Sequence, residues 1–323
     1  MSKNYNIERS PLYNLKSKKK LAELLMLPED YFKVIHEYKY SQFFKKKPNG
    51  TNRVIDNPEE SLKVIQKRIF KLLSRINKPD FVISGTKGKS YVDNARVHKD
   101  KQYICTIDIE TFYDSTKEIY VYDFFRHRMK MDVDIATILT KLCTYQGKIP
   151  TGTSVSQLLA FWAYEKTFLN IESECKNKNV DMTLYVDDIT LSSNKIIDKS
   201  LIKNIDVLLH QKKLKIKKEK TKLYTKNKHK SVTGVVINNR NEIKLENKKR
   251  KQILDLYKEC LNPLTITAEK LSKLDGKLND AKQVEPGIYS TISIFIKKHR
   301  SDIEEYNKTQ YALKRKNKKK LSN

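Results

Sequence analysis

Two adjacent aspartates, Asp187 and Asp188, stand in the apolar run Met182–Leu191, directly after a tyrosine and a valine. The strand-favouring residues of this run predict two β-strands that meet at a tight turn, with both carboxylates at its tip. Two neighbouring negative charges repel each other, so a positive partner should compensate them. Divalent cations that handle phosphates are such a partner. For this segment alone, a solvated Asp-Asp turn is the alternative.

A third aspartate, Asp108, lies near the end of the predicted buried strand Tyr103–Ile109. If this strand neighbours the one that carries Asp187, the three carboxylates converge at one edge of a sheet. Three carboxylates can hold two Mg²⁺ ions ~3.5–4 Å apart, an arrangement that serves in-line phosphoryl transfer. An aspartate at a strand end is ordinary by itself. The prediction of a metal site therefore rests on all three acids together.

The charge balance indicates the partner. Lys and Arg total 66 against 38 Asp and Glu in 323 residues, which gives a net charge of +28. Such an excess is typical of proteins that bind a polyanion, either nucleic acid or an anionic membrane. No apolar stretch approaches the ~20 residues that span a bilayer. We therefore predict a nucleic-acid partner and no membrane.

The four cysteines (Cys105, Cys143, Cys175 and Cys260) are widely separated, and none forms a Cys-x-x-Cys pair. This spacing predicts neither a zinc site nor a disulfide framework. Free thiols are typical of a reducing compartment, and the first residues lack the apolar core of a signal peptide. We therefore expect a cytoplasmic protein.

Several elements must position the acids. The segment Lys45–Arg53 contains Pro-Asn-Gly and predicts a hairpin tip crowded with cations. Apolar periodicity predicts a long helix over Ser154–Cys175, and Val232–Ile237 predicts one strand. From Asn247 the chain is predicted to be helical and Lys-rich. The run Lys314–Lys320 is expected to be a disordered, solvated tail, with nonspecific RNA contact as the alternative.

Several of these segments resemble reverse transcriptases. They are Asp108–Ser115 (DIETFYDS), Tyr185–Asp188 (YVDD) and the loop Lys46–Arg53. Two shorter segments are similar to elements of bacterial retron enzymes: NARVH, from Asn94 to His98, and the tripeptide Val232, Thr233, Gly234. Taken alone, His98 could be a surface or capping histidine and Gly234 a strand bulge. In this order along the chain, the segments identify a retron-type reverse transcriptase.

The resemblance implies an α+β, right-hand polymerase fold with fingers, a palm of antiparallel sheet backed by helices, and a helical thumb. Residues 1–100 would form the N-terminal helices and fingers. Residues 101–245 would form the palm, with a fingers insertion at about 129–150. Residues 246–323 would form the thumb and the basic tail.

The resemblance also implies roles for the metal site. Asp108, Asp187 and Asp188, helped by the Ile109 carbonyl, would bind two Mg²⁺ ions. Tyr113 would be a steric gate against the ribonucleotide 2′-OH. The alternative for Tyr113 is a core tyrosine paired with the phenylalanine before it.

Further residues would bind the nucleotide or the RNA. Lys46 and Arg53 would hold the triphosphate, although Lys45 or Lys47 could replace Lys46 and a generic basic hairpin is the alternative. Lys220 could protonate pyrophosphate or simply screen phosphate. RNA recognition would fall to the two retron elements, which comprise Asn94, His98, Val232, Thr233 and Gly234.

Two positions depart from the family pattern. The family's Pro-Gln-Gly element is Pro150, Thr151, Gly152 here, so one side-chain contact to the nucleotide is missing. Gly152 still allows close backbone approach to substrate, so we expect altered fidelity or rate rather than inactivity. Position 157, often proline in the family, is Gln157.

The implied function is RNA-templated, Mg²⁺-dependent synthesis of single-stranded DNA from dNTPs. The template would be a cognate structured noncoding RNA, primed from one of its 2′-OH groups, and the product a branched RNA–DNA molecule (msDNA). An effector protein would join it in defence against phage. The alternatives are another bacterial reverse transcriptase, of the abortive-infection or group II intron kind, and a non-catalytic RNA-binding scaffold.

Overall fold

The computed structural model describes residues 4–33, 38–46 and 50–320, with side chains as far as residue 313. The chain divides into two compact units. Unit 1 comprises Met1–Gly88 and Cys105–Lys222, and unit 2 comprises Lys89–Ile104 and Leu223–Asn323. The boundaries given above for fingers, palm and thumb stay a prediction.

Helices and strands alternate through unit 1, and helices dominate the end of unit 2. In chain order the helices are α1 (Lys18–Leu25), α2 (Glu60–Leu73), α3 (Tyr91–Val97), α4 (Phe112–Ser115), α5 (Glu118–Asp123), α6 (Val133–Cys143), α7 (Ser156–Ala163), α8 (Glu165–Asn177), α9 (Lys199–His210), α10 (Asn247–Leu261), α11 (Ala268–Val284), α12 (Ser290–Lys298) and α13 (Arg300–Lys320). The strands are β1 (Tyr40–Lys46), β2 (Asn52–Pro58), β3 (Tyr103–Asp108), β4 (Asp181–Tyr185), β5 (Asp188–Ser193), β6 (Lys222–Tyr224), β7 (Lys230–Val232), β8 (Val235–Ile237) and β9 (Ile243–Leu245).

The central sheet of unit 1 places β3 beside β5, which in turn pairs with β4. Strands β4 and β5 form the predicted antiparallel hairpin, in which Tyr185 pairs with Asp188. Helix α8 packs against β4, and α9 packs against α8. The strand that ends at Asp108 is therefore a neighbour of the hairpin that carries Asp187, as the metal-site prediction required. Helices combined with antiparallel strand pairs confirm the predicted α+β class.

The basic hairpin of β1 and β2 is also confirmed, with Lys46 paired with Asn52 at its described end. Lys47 and the predicted Pro-Asn turn residues lie outside the described residues. Helix α2 follows the hairpin and buries an apolar stripe at helical spacing, as expected for a helix packed on a core. Its buried apolar residues are Leu62, Ile65, Ile69, Leu72 and Leu73.

The prediction of a single helix over Ser154–Cys175 is wrong, because the helix is interrupted at Tyr164, between α7 and α8. Tyr164 leaves helical geometry, with φ −122° and ψ 15°. Its ring is buried 5.8 Å from the Phe112 ring and 5.2 Å from the Tyr120 ring, and its hydroxyl donates to the Ser115 carbonyl. This packing against distant residues overrides the local helical pattern.

The predicted single strand Val232–Ile237 is wrong as well. Thr233 and Gly234 both have positive φ, 46° and 81°, and Val232 pairs with Val235. The segment is therefore a two-residue hairpin turn between β7 and β8, and Gly234 is a turn residue rather than a bulge. Helix α3 packs on β8, and the helices α10 to α13 complete the apolar core of unit 2.

The basic C-terminal run does not follow the expectation of a disordered tail, because α13 continues as a helix to Lys320. Among the described residues, no helix is both long and apolar enough to cross a membrane.

Candidate active site

The tip of the β4–β5 hairpin is a two-residue turn, Val186 and Asp187. Val186 has φ +59°, in the left-handed region that β-branched residues rarely adopt. Its N–H donates to Ser84 Oγ at 2.9 Å. The Ile109 N–H donates to the Asp187 carbonyl at 2.9 Å, which ties the turn to the chain just after β3. Asp187 thus lies at the turn, and Asp188 is the first residue of β5.

Asp108 faces a cation. Lys220 Nζ lies 2.5 Å from Asp108 Oδ2, and the Lys217 N–H donates to the Asp108 carbonyl at 2.8 Å. The hydrogen bond that Lys220 donates to Asp108 raises the pKa of Lys220, so the ammonium stays protonated. Lys220 therefore compensates part of the negative charge that the acids place at this edge of the central sheet.

The hairpin carboxylates are electrostatically unfavourable as anions. Burial raises the pKa of Asp187, and the charge of Asp108 raises it further. Burial, then Asp187, then Asp108 raise the pKa of Asp188 to about 7. Grouped carboxylates of this kind are what hard divalent cations bind, so the donor chemistry fits Mg²⁺. Within the described part of the chain, however, no three His, Cys, Asp or Glu side chains already surround a common point.

A cavity of about 650 Å³ opens in front of two of these acids. This volume is within the usual range for ligand sites in proteins. Asp188, the first residue of β5, is not among the described residues that line the cavity. The residues that line the cavity include Arg53, Asp108, Tyr113, Thr151, Asp187 and Lys220.

Tyr113 lines this cavity together with the preceding Phe112, whose ring is also buried against the rings of Tyr164 and Phe168. Burial and the nearby charge of Asp187 raise the pKa of Tyr113 to about 12, and Arg53 opposes them. The Tyr113 ring also contacts Phe112 at 6.0 Å between centroids. The structure thus contains both features considered for Tyr113, a place in the cavity and a phenylalanine neighbour.

The predicted triphosphate-binding cations differ in position. Arg53 lines the cavity. Lys46, exposed and paired with Asn52, is not among the described lining residues, and neither is Lys45. Lys47 lies outside the described part of the chain. Which lysine assists Arg53 stays a prediction.

Residues 44–252 match the family described as "Reverse transcriptase (RNA-dependent DNA polymerase)". The chain belongs to the reverse transcriptase family. Retron Se72 reverse transcriptase of Salmonella heidelberg (strain 579083-10) is 31% identical over 178 residues, which cover 54% of this chain and 47% of that protein. Retron Ec86 reverse transcriptase of Escherichia coli is 30% identical over 197 residues, 60% of this chain and 61% of that protein.

These relatives confirm the predicted resemblance to bacterial retron enzymes, although the chain spans only about half of the first and three fifths of the second. A solved structure, apo telomerase from Candida tropicalis truncated from the C-terminal domain, aligns with a TM-score of 0.47 at 13% identity. That alignment covers 66% of this chain and 56% of the telomerase chain.

The loop that departs from the family's Pro-Gln-Gly element is bonded to the basic hairpin. The Asp56 N–H donates to the Thr151 carbonyl at 2.8 Å, and the Thr151 N–H donates to Asp56 Oδ2 at 3.2 Å. Gln42 Nε2 donates to the other Asp56 oxygen at 2.9 Å. The buried Asp56 thus joins β1, β2 and the Thr151 loop. Sequence reasoning missed it, since an aspartate before Asn-Pro looks like an ordinary turn residue.

Gly152 makes its close approach to this same hairpin. It has φ +117°, and an added Cβ would lie 2.7 Å from Ile55 Cγ2 and 3.1 Å from the Asp56 carbonyl oxygen. The glycine is therefore required by packing inside unit 1, whatever it contributes to substrate binding.

Gly152→Ala is expected to destabilise unit 1 by about 2–4 kcal/mol, because backbone strain adds to the clash with β2. Chemical denaturation of the two proteins measures this. Gly147→Ala is the matched control, since Gly147 also has positive φ but an added Cβ would meet nothing within 4 Å. Gly147→Ala should lower the free energy of unfolding by about 1 kcal/mol. Equal costs for the two variants would contradict the packing argument.

The two retron elements meet within unit 2. Asn94 Nδ2 lies 3.4 Å from Thr233 Oγ1, and the Thr233 hydroxyl donates to the Tyr91 carbonyl at 3.0 Å. The Asn94 and His98 side chains are fully buried, so His98 is not a surface histidine; it is the C-terminal capping position of α3. Val232 is buried, whereas Thr233 and Gly234 remain partly exposed at the β7–β8 turn.

Proposed function

We propose that this chain is a retron-type, RNA-directed DNA polymerase. The observation that carries the proposal is the cavity shared by Asp108, Asp187, Tyr113 and Arg53. Acids on adjacent strands, a cation and an aromatic ring on one wall are the groups that nucleotidyl transfer needs. Family membership points to the same chemistry.

Asp108, Asp187 and Asp188, with the Ile109 carbonyl, are proposed to hold two Mg²⁺ ions. When bound there, such ions would supply charge neutralisation for the attacking hydroxyl and the leaving pyrophosphate. Burial of the acids strengthens this arrangement, because ion–carboxylate attraction increases where water is excluded.

The other cavity residues orient the nucleotide. Arg53 offers a planar fork that matches phosphate oxygens, and a lysine of the same hairpin, with Lys46 as the first candidate, adds a point charge. Tyr113 places its ring against C2′ of the sugar, where a 2′-OH has no room. Lys220 holds a proton beside Asp108 and can deliver it to pyrophosphate. Gly152 keeps the Thr151 loop against the hairpin that carries Arg53.

The template is proposed to be a cognate structured noncoding RNA, primed from a 2′-OH, with dNTPs as substrates and a branched RNA–DNA product. The names of the relatives support the retron assignment. Asn94 would act on RNA indirectly, by bonding α3 to the β7–β8 turn, and the buried His98 by capping α3. Thr233 and Gly234 are exposed enough to contact RNA. We place the enzyme in the cytoplasm with an effector protein, in defence against phage.

The nucleic acid that copurifies with the chain tests this function. The chain is expressed with its flanking genomic DNA, and the bound nucleic acid is digested with RNase and with a debranching enzyme. A branched RNA–DNA species that shrinks under both treatments is expected. DNA without an attached RNA would point to the abortive-infection or group II alternatives. RNA without any DNA would point to the scaffold, and either result would overturn the proposal.

A further inference from the structure

The turn that carries Asp187 is held in an unfavourable conformation. Val186 is β-branched and left-handed, which costs about 1–2 kcal/mol relative to ordinary backbone geometry. The turn also brings the Asp187 carboxylate towards Asp108, so like-charge repulsion favours moving it away. Contacts elsewhere in unit 1 must therefore hold the turn in place.

One such contact is the hydrogen bond from the Val186 N–H to Ser84 Oγ, at 2.9 Å. Ser84 is 8% exposed, so water competes little for this bond. The bond fixes the peptide plane between Tyr185 and Val186, and hence the direction in which the chain enters Asp187.

Ser84 is itself placed by backbone pairing with β4. The Leu184 N–H donates to the Phe81 carbonyl at 2.8 Å, and the Ile83 N–H donates to the Leu184 carbonyl at 3.0 Å. This pairing runs parallel to β4 at Val82. Ser84 is the next residue along the chain after this paired segment. The pairing therefore holds the Ser84 side chain at a fixed distance from the turn.

The backbone at Ser84 and Gly85 is also held by a side chain. Lys78 Nζ donates to the Ser84 and Gly85 carbonyls at 3.2 and 2.6 Å. Gly85 has φ +61°, and a Cβ there would lie 3.2 Å from Gln157 Nε2, so Gln157 packs closely behind this loop. The glutamine that departs from the family's proline thus lies close to the glycine that follows Ser84.

We propose that Ser84 is a positioning residue for DNA synthesis, which acts through the Val186 amide to hold Asp187 opposite Asp108. The inference rests on the proposed function, in which Asp187 is a metal ligand. Ser84 is not among the described residues that line the cavity. Its loss should therefore lower the rate of the chemical step and leave nucleotide affinity intact.

Single-turnover addition of one dNTP by Ser84→Ala tests the proposal. We expect the maximal rate to fall about 10-fold or more, since small misplacements of reacting groups cost up to 10²-fold, with the nucleotide Kd unchanged within a factor of two. Ser84→Thr retains a hydroxyl and should recover most of the rate. Thr86→Val is the matched control, because the Thr86 hydroxyl donates to the Val82 carbonyl within the same segment. It should keep the wild-type rate.

A second readout needs no metal or substrate. Amide hydrogen exchange in the peptide containing Val186 should be faster in metal-free Ser84→Ala than in the wild type, and unchanged in Thr86→Val. If Ser84→Ala folds poorly, the Val186→Gly background provides the test, since glycine adopts the left-handed turn without strain. The rate loss caused by Ser84→Ala should be smaller in that background.

Three outcomes would overturn the inference. They are an unchanged maximal rate in Ser84→Ala, an equal loss in Thr86→Val, and an undiminished loss in the Val186→Gly background. Failure of the proposed function is recognised separately, by full synthesis from Asp187→Asn. If Ser84→Ala works at the wild-type rate while Asp187→Asn is inactive, the positioning role of Ser84 is refuted and the proposed function stands.

Discussion

DNA synthesis is expected to fall by at least about 10³-fold when Asp187 and Asp188 are both replaced by asparagine, while RNA binding is retained. Loss of a single neutral electrostatic donor at a catalytic centre costs 10²–10³-fold, and here two anionic ligands are removed together. Asparagine keeps the size of the side chain, so the hairpin should fold unchanged. Primer extension and RNA binding by the same preparations measure the two properties.

Asp181→Asn is the matched control, because Asp181 begins β4 at the opposite, exposed end of the same hairpin. It should synthesise DNA at the wild-type rate. The double variant should also have a higher Tm than the wild type in metal-free buffer, because like-charge repulsion at the turn is gone. Full synthesis by the double variant would refute the metal-ligand assignment. A lower Tm would contradict the electrostatic description of the turn.

Tyr113→Ala is expected to lower the preference for dNTPs over rNTPs by about 10²-fold, the scale on which one steric contact in a pocket discriminates. Tyr113 lines the cavity beside Asp187, and truncation to alanine makes space for a 2′-OH. The ratio of kcat/KM values for a matched dNTP and rNTP measures the effect.

Tyr113→Phe separates the ring from the hydroxyl. If the ring excludes the 2′-OH, Tyr113→Phe keeps the wild-type discrimination. If Tyr113 is only a core partner of Phe112, Tyr113→Ala should lower stability and leave sugar discrimination unchanged. That second result would refute the gate role.

Two elements show where local patterns fail. The apolar run before Cys175 has the pattern of a single helix. Tyr164 interrupts that helix because its ring and hydroxyl contact residues of α4 and α5. The run Val232–Ile237 favours a strand, yet Thr233 turns the chain where its hydroxyl bonds to the Tyr91 carbonyl, 142 residues earlier. In both cases a distant contact outweighs the propensity of the segment.

The sequence by itself determined the acidic hairpin, the strand that carries Asp108, the basic hairpin and the resemblance to retron enzymes. These features depend on periodicity, turn chemistry and short motifs, which are local. Only the tertiary structure revealed the contacts that support them: Lys220 with Asp108, Thr151 with Asp56, and Val186 with Ser84. These bonds join residues 112, 95 and 102 positions apart. A serine, an aspartate or a lysine carries no local signal of a partner so far along the chain, because the fold alone brings the two together.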